Sequence, residues 1–230
     1  MENTQTKMES EDKNKTAPML KQTKEGLVLT DGNLSLMADF APMVSRLKQG
    51  AIGKELLVRA ARLKKMQNGS GRPILIDATA GLGEDSILLA AAGFSVKMYE
   101  QNPMIAALLE DALHRAANLS ELSSIVSHME LINADSKEAL KCLKETVDVV
   151  YLDPMFPQRK KSALTKKKFQ LLQQLEMPCD NEEELLHAAM DAHPHKIVIK
   201  RPIKGPYLAD IKPDYSISGK AVRYDCLLFG

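Results

Sequence analysis

Short apolar runs recur along the chain at 73–79, 95–99, 130–133, 147–152 and 195–200, and stretches with helical spacing of apolar positions separate most of them. Runs that short, apolar throughout rather than alternating, belong to strands buried on both faces. Their interleaving with helical patterns predicts an α/β fold, a mostly parallel sheet with helices on both faces. The helices are expected at about 84–92, 103–117, 136–144 and 181–191. Ala221 to Phe229 alternates loosely and reads as a terminal strand, with an antiparallel orientation open.

The N-terminal part follows a different pattern. Residues 1–25 are polar, charged and short of aromatics, which predicts a disordered tail. Gly26 to Thr30 reads as the first ordered strand, and Leu34 to Phe40 as its partner or a short helical connection. From Gly53 to Lys65, Leu56, Leu57, Ala60, Ala61 and Leu63 fit one helix face, and Asn68-Gly69-Ser70-Gly71 ends it. The chain thus divides into a tail at 1–25, a strand-and-helix extension at 26–70 and a main domain at 71–230. No internal repeat is evident.

Composition narrows the class. The 230 residues are 44% hydrophobic and 27% charged, the balance of a soluble globular protein. No apolar stretch approaches the roughly 18 to 20 residues of a membrane span, so a cytoplasmic protein without a membrane partner is expected. Cys142, Cys179 and Cys226 are far apart, and no histidine stands near them at ligand spacing, which argues against a disulfide framework or a metal centre.

The net charge of +1 conceals a segregation. Positions 46–65 and 158–168 together hold 13 of the 31 basic residues and 1 of the 30 acidic ones. For 46–65 a solvated helix face accounts for the charge as well as a binding surface does. For 158–168 the sequence position, directly after the motif described next, favours contacts to phosphate.

The motif is Asp153-Pro154-Met155-Phe156-Pro157, at the end of the apolar run Val149 to Leu152. It reads as a buried strand feeding an acidic, proline-stiffened aromatic turn. An exocyclic amine on a nucleobase is a poor nucleophile because its lone pair is delocalised into the ring, and an enzyme that methylates it must hold its N–H groups. The Asp153 carboxylate and the Pro154 carbonyl supply such acceptors, and Phe156 supplies a face on which the base stacks. By itself the motif reads equally well as an acidic strand end with a core aromatic.

In an open α/β sheet, ligands bind beyond the carboxyl ends of the strands. The first parallel strand ends in Asp77-Ala78-Thr79-Ala80-Gly81-Leu82-Gly83-Glu84-Asp85, where Asp77, Gly81 and Gly83 are candidate cofactor residues. Ser86 occupies the place of the third glycine of the dinucleotide fingerprint, which disfavours a pyrophosphate. Glu100 ends the second strand, 23 residues after Asp77, and is suited to the two hydroxyls of a ribose, although Gln101-Asn102-Pro103 also reads as a helix entry that it would cap. Asp135 ends the third strand and can accept from an adenine amine, while Asp135-Ser136-Lys137-Glu138 also fits a capping box. A glycine turn, two acids and the Asp153 motif in this order suit S-adenosyl-L-methionine better than a nicotinamide cofactor.

These segments resemble the RsmJ-type 16S ribosomal RNA guanine-N2 methyltransferases. The resemblance is carried by 77–85, by Tyr99 to Pro103 with Ala106 to Leu109, by 149–164 and by Val198 to Pro202, and it covers about 25–230. It implies a Rossmann-like class I S-adenosylmethionine-dependent methyltransferase fold, with 71–230 as the methyltransferase domain. It also implies 16S ribosomal RNA or the small ribosomal subunit as partner, methylation of a guanine N2 amine as the activity, and no metal. Carried over by position, Glu84, Asp85, Glu100, Gln101, Asp135, Ser136 and Asp153 fall at cofactor positions. Here Glu84 and Gln101 stand where the family pattern has Arg, and Asp135 where it has Ser. Arg159, Lys160 and Lys161 are expected to hold flanking phosphates, with Lys200 and Arg201 as a second set. The competing readings are an amino-methyltransferase acting on another RNA or DNA base, such as adenine N6, and a non-catalytic RNA-binding or ribosome-assembly module.

Overall fold

A computed structural model describes residues 17–63, 71–154, 171–172, 175 and 182–229. The described residues begin inside the segment expected to be a tail, and part of that segment is a strand. Strand β1 (Met19–Gln22) pairs antiparallel with β2 (Leu27–Thr30), which pairs with β3 (Ser35–Leu36). The polar composition hid β1 because only Leu20, set opposite Leu29 in the register, packs against the core. An edge strand needs one apolar face and no more.

Two single-turn helices precede the helix expected at 53–65, and among the described residues that helix itself spans only 56–61. α1 (Val44–Leu47) and α2 (Gln49–Ile52) are single turns, and α3 (Leu56–Ala61) buries Leu57, Val58, Ala60 and Ala61. Extended backbone at Lys48, Glu55 and Arg62 separates and ends them. Lys196 fastens the last turn of α3 to the main sheet. Its buried ammonium donates to the Ala60 carbonyl at 3.0 Å and the Arg62 carbonyl at 2.6 Å, satisfying acceptors that a helix end leaves open.

The main domain runs β4 (Ile74–Asp77), α4 (Glu84–Ala91), β5 (Ser95–Tyr99), α5 (Pro103–Ala117), α6 (Ser123–Val126), β6 (Met129–Ile132), α7 (Ser136–Lys141), β7 (Val149–Leu152), α8 (Glu182–Asp191), β8 (Lys196–Pro202), β9 (Tyr215–Ser218) and β10 (Val222–Leu228). The seven strands lie in the order β6-β5-β4-β7-β8-β10-β9. The five from β6 to β8 are parallel, whereas β10 runs antiparallel to both β8 and β9. The expected mostly parallel sheet is present, and the terminal strand takes the antiparallel orientation, inserted inside the sheet.

Strand alternation splits the core into two layers. Leu75, Val149, Tyr151 and Val198 pack on the side of α3, α4 and α5, and Ile76, Val150, Leu152, Ile197 and Ile199 on the side of α7 and α8. β7 is buried at every position, as a central parallel strand must be. Successive strands leave β4 in opposite directions, toward β5 on one side and β7 on the other. The chain therefore reverses its winding beside β4, and that places a crevice at the carboxyl ends of β4 and β7.

Candidate functional site at the carboxyl edge of the sheet

The loop after β4 is stitched to both neighbouring strands. The Ala78 N–H donates to the Tyr151 carbonyl at 3.0 Å and the Ala80 N–H to the Tyr99 carbonyl at 3.1 Å. Gly81 and Gly83 both adopt left-handed backbone, with φ of +53° and +76°. The two glycines are needed for different reasons. A Cβ on Gly83 would stand 2.6 Å from Leu109 and 3.1 Å from Phe40, so this glycine lets α4 pack against the core. A Cβ on Gly81 would meet nothing within 4 Å, so its face opens onto the crevice and leaves backbone within reach of a ligand.

Asp77 is only 1% exposed, and its carboxylate is spent within the turn. It accepts the Thr79 N–H at 3.1 Å and the hydroxyl of Ser86, which stands at the missing third glycine. The expectation of a direct cofactor contact is corrected here: Asp77 shapes the turn. Burial drives its pKa up from 3.8 to about 7, against the opposing hydrogen bonds from Ser86 and Thr79.

Glu100 follows β5 at the carboxyl edge of the sheet, against the glycine loop. Its Oε2 accepts the Gly81 N–H at 3.0 Å and its Oε1 the Asn102 N–H at 2.8 Å, which leaves lone pairs on both oxygens. Burial raises its pKa, while the Asn102 and Gly81 N–H groups pull it down. The cap of α5 is Asn102, whose Oδ1 accepts from Met104 and Ile105 and whose Nδ2 donates to the Leu175 carbonyl at 2.8 Å. Gln101 beside it is exposed.

Beyond β6, Asp135 caps α7 by accepting the Lys137 N–H at 2.9 Å, and Ser136 is buried behind it. The capping box is half formed, because Glu138 turns away to Lys141. Asn133, which the motif search passed over, donates to the Glu100 carbonyl at 2.7 Å and joins the two loops.

Asp153 and Pro154 end β7 across the crevice. The Asp153 N–H donates to Thr79 Oγ1 at 2.7 Å, which locks the motif to the glycine loop. Its carboxylate, 35% exposed, accepts from Lys200 Nζ at 2.8 Å. The same ammonium donates to Asp85 Oδ2 at 2.7 Å, and that oxygen also receives the Tyr151 hydroxyl at 2.6 Å. Burial raises the Asp153 pKa and Lys200 opposes the rise. Burial alone would lower Lys200, but Asp85 and Asp153 outweigh it and hold the ammonium well above its ordinary range. Tyr151, fully buried, stays a phenol donor.

Two expected phosphate contacts are therefore corrected. Lys200 turns into the crevice and bridges two carboxylates, and Arg201, 1% exposed, donates to the Pro206 carbonyl at 3.0 Å and to Glu182 at 3.3 Å. The strand alternation carried the signal, since adjacent residues of β8 face opposite sides of the sheet and a Lys-Arg pair there cannot form one patch. Phe156, Arg159, Lys160 and Lys161, with Met155 and Pro157, lie outside the described residues.

The donor set suits S-adenosylmethionine. Glu84 and Asp85 in the first turn of α4, with Glu100 and Asp153, make the crevice rich in carboxylates, and Lys200 offsets only part of that charge. Such a field accepts a sulfonium and repels a pyrophosphate. Among the described residues no group of three or more His, Cys, Asp or Glu side chains is placed to hold a metal ion, and no helix is long and apolar enough to cross a membrane.

Comparison with known proteins agrees with this geometry. Residues 3–228 match a family described as putative SAM-dependent methyltransferases. The chain is 43% identical over 197 residues to ribosomal RNA small subunit methyltransferase J of Nitrosococcus oceani, covering 84% of this chain and 76% of that protein. It is 38% identical over 209 residues to the protein of the same name from Pseudomonas syringae pv. syringae, covering 86% and 78%. A crystal structure of a SAM-dependent methyltransferase from Neisseria gonorrhoeae superimposes with a TM-score of 0.74 at 29% identity, covering 93% of this chain and 83% of that one. With the family match spanning nearly its whole length and relatives this similar, the chain belongs to the ribosomal RNA small subunit methyltransferase J family of S-adenosylmethionine-dependent methyltransferases.

Proposed function

We propose that this protein methylates the exocyclic N2 amine of a guanine in the 16S ribosomal RNA of the small subunit, acting in the cytoplasm on the RNA or on the subunit that contains it. The observation that carries the proposal is the Asp153 carboxylate at the end of β7, pinned by Thr79 and Lys200 beside the glycine loop. The names of the related proteins support the choice of substrate.

Bound in the crevice, S-adenosylmethionine supplies a methyl group already activated on a sulfonium. The chain's own residues do the rest. Glu100 holds the ribose hydroxyls, Asp135 and Ser136 stand at the adenine, with Gln101 beside them, and Gly81 leaves room for the ligand against the backbone. Asp153 and the Pro154 carbonyl accept the two amine hydrogens and turn the nitrogen lone pair toward the methyl carbon. Most of the acceleration comes from this positioning. The nitrogen would form its new bond to the methyl carbon as that carbon's bond to sulfur breaks, leaving a neutral thioether, and would shed one proton to the Asp153 carboxylate. Phe156 stacks on the base, which has left its helix or lies in a loop. Arg159, Lys160 and Lys161 hold the neighbouring phosphates.

Asp153→Ala is the direct test. It abolishes turnover while RNA affinity stays within a few-fold, and retained turnover contradicts the assignment.

A further inference from the structure

The loop after β8 exposes two large apolar side chains, Ile203 at 37% and Tyr207 at 40%. With Gly205 and Pro206 they form one wall of an open groove of about 360 Å³, and Ser216 and Ser218 of β9 form the other. Neither the cofactor crevice nor the Asp153 cluster uses any of these residues.

The groove is held rigid from beneath. The buried Arg223 donates to the carbonyls of Pro202 at 2.9 Å, Ile203 at 3.1 Å, Gly205 at 2.9 Å and Pro206 at 3.2 Å, and pairs with Asp225 at 2.9 Å. Its guanidinium also lies 5.0 Å from the centre of the Tyr207 ring. That contact fixes the ring by one face while most of the arginine's hydrogen-bonding capacity is spent inward. An aromatic ring presented on a pre-ordered loop binds a planar partner with little further loss of entropy.

Position and charge indicate the partner. β8 ends, and β10 begins, at the edge of the sheet that carries Asp153. β9 is three strands from β7, about 14 Å at the usual strand spacing. Exposed lysines flank the groove: Lys204 stands between Ile203 and Gly205, and Lys220 lies in the turn after Ser218. Of the nearby acids, Asp225 is paired to Arg223, Asp214 is tied to the Leu228 N–H at the far end of β9, and Asp210 is on the turn beyond Tyr207.

We propose that this groove binds an unpaired nucleotide of the substrate RNA near the target guanine, with Tyr207 stacking on its base, Ser218 facing a base edge, and Lys204 and Lys220 at the adjoining phosphates. An aromatic face bordered by cations is the chemistry that recognises single-stranded nucleic acid. The inference rests on the RNA-methylating function proposed above.

The test is binding of a fluorescently labelled, unmodified 16S ribosomal RNA transcript, with methyl incorporation into the same transcript and into small subunits followed in parallel. Tyr207→Ala weakens transcript binding about ten-fold, and Tyr207→Phe stays within two-fold of the parent. Tyr207→Leu, which keeps bulk over Arg223 without an aromatic face, behaves like the alanine variant. Lys204→Ala lowers the slope of log affinity against log salt by about 1. The thermal shift with S-adenosylmethionine is unchanged in all four, which confirms folding. If the parent methylates RNA and both Tyr207→Ala and Tyr207→Leu bind like the parent, the groove assignment is overturned alone, and the surface belongs to a protein partner or a second copy. If the parent neither binds nor methylates the RNA, both proposals fall.

Discussion

The Lys200 ammonium stands 2.8 Å from the Asp153 carboxylate and, through a second bond of 2.7 Å to Asp85, ties the end of β7 to the first turn of α4. One charge thus organises two carboxylates that would otherwise repel each other across the crevice. It also opposes the rise that burial gives the Asp153 pKa, and so favours the carboxylate form, the one that accepts an amine hydrogen.

Removing that charge has a definite sign. In Lys200→Met the Asp153 pKa rises further, because burial and Asp85 are then opposed by the weaker pull of Arg201 and no longer by Lys200. The acid limb of kcat against pH moves to higher pH, and kcat at neutral pH falls ten-fold or more. The pH–rate profile at saturating RNA and cofactor checks this. An acid limb that stays in place means Lys200 does not tune Asp153.

The two glycines of the β4 loop separate folding from binding. Both are left-handed, so alanine costs roughly 1–2 kcal/mol at either from backbone strain. Gly83→Ala also drives a methyl into Leu109 and Phe40, so its total loss is expected at roughly 2–4 kcal/mol. Gly81→Ala meets no neighbour but fills the open face, so S-adenosylmethionine binding weakens ten-fold or more. Denaturant unfolding and calorimetric titration of the two variants check the contrast, and equal cofactor affinities contradict it.

Asp77 predicts a pH dependence of stability. Its folded-state pKa of about 7 lies above the ordinary 3.8, so the native state keeps a proton that the unfolded chain has lost. The stability from that proton is fully present below about pH 4 and is lost as pH rises through about 7, on the order of 4 kcal/mol across the window. Asp77→Asn lacks this titration. Its melting temperature therefore gains on the parent from pH 4 to pH 7 and the difference then levels off, whereas a constant offset contradicts the assignment.

The parallel strands and the helices α4, α5, α7 and α8 were legible in the sequence to within a few residues, because buried parallel strands and amphipathic helices leave unambiguous periods. The places of Glu100 and Asp153 at the edge of the sheet were legible because each directly follows an apolar run that forms a buried strand. Lys200 and Arg201 were misread because their deciding contacts are remote in sequence, whereas β1 was missed because its composition is polar and only Leu20 packs against the core. Lys200 meets Asp85, which precedes it by 115 residues, and Arg201 is buried by the loop that folds back over it. Tyr151 looked like one more apolar position of β7, and only the fold brings its hydroxyl to Asp85.

The central claim is tested most directly by incubating the protein with methyl-labelled S-adenosylmethionine and undermethylated small subunits, with the naked 16S ribosomal RNA alongside, and then analysing the nucleosides. The account predicts label in N2-methylguanosine from the subunits or from the naked RNA. Label in another nucleoside, N6-methyladenosine above all, or no label in either substrate while the cofactor binds, contradicts it.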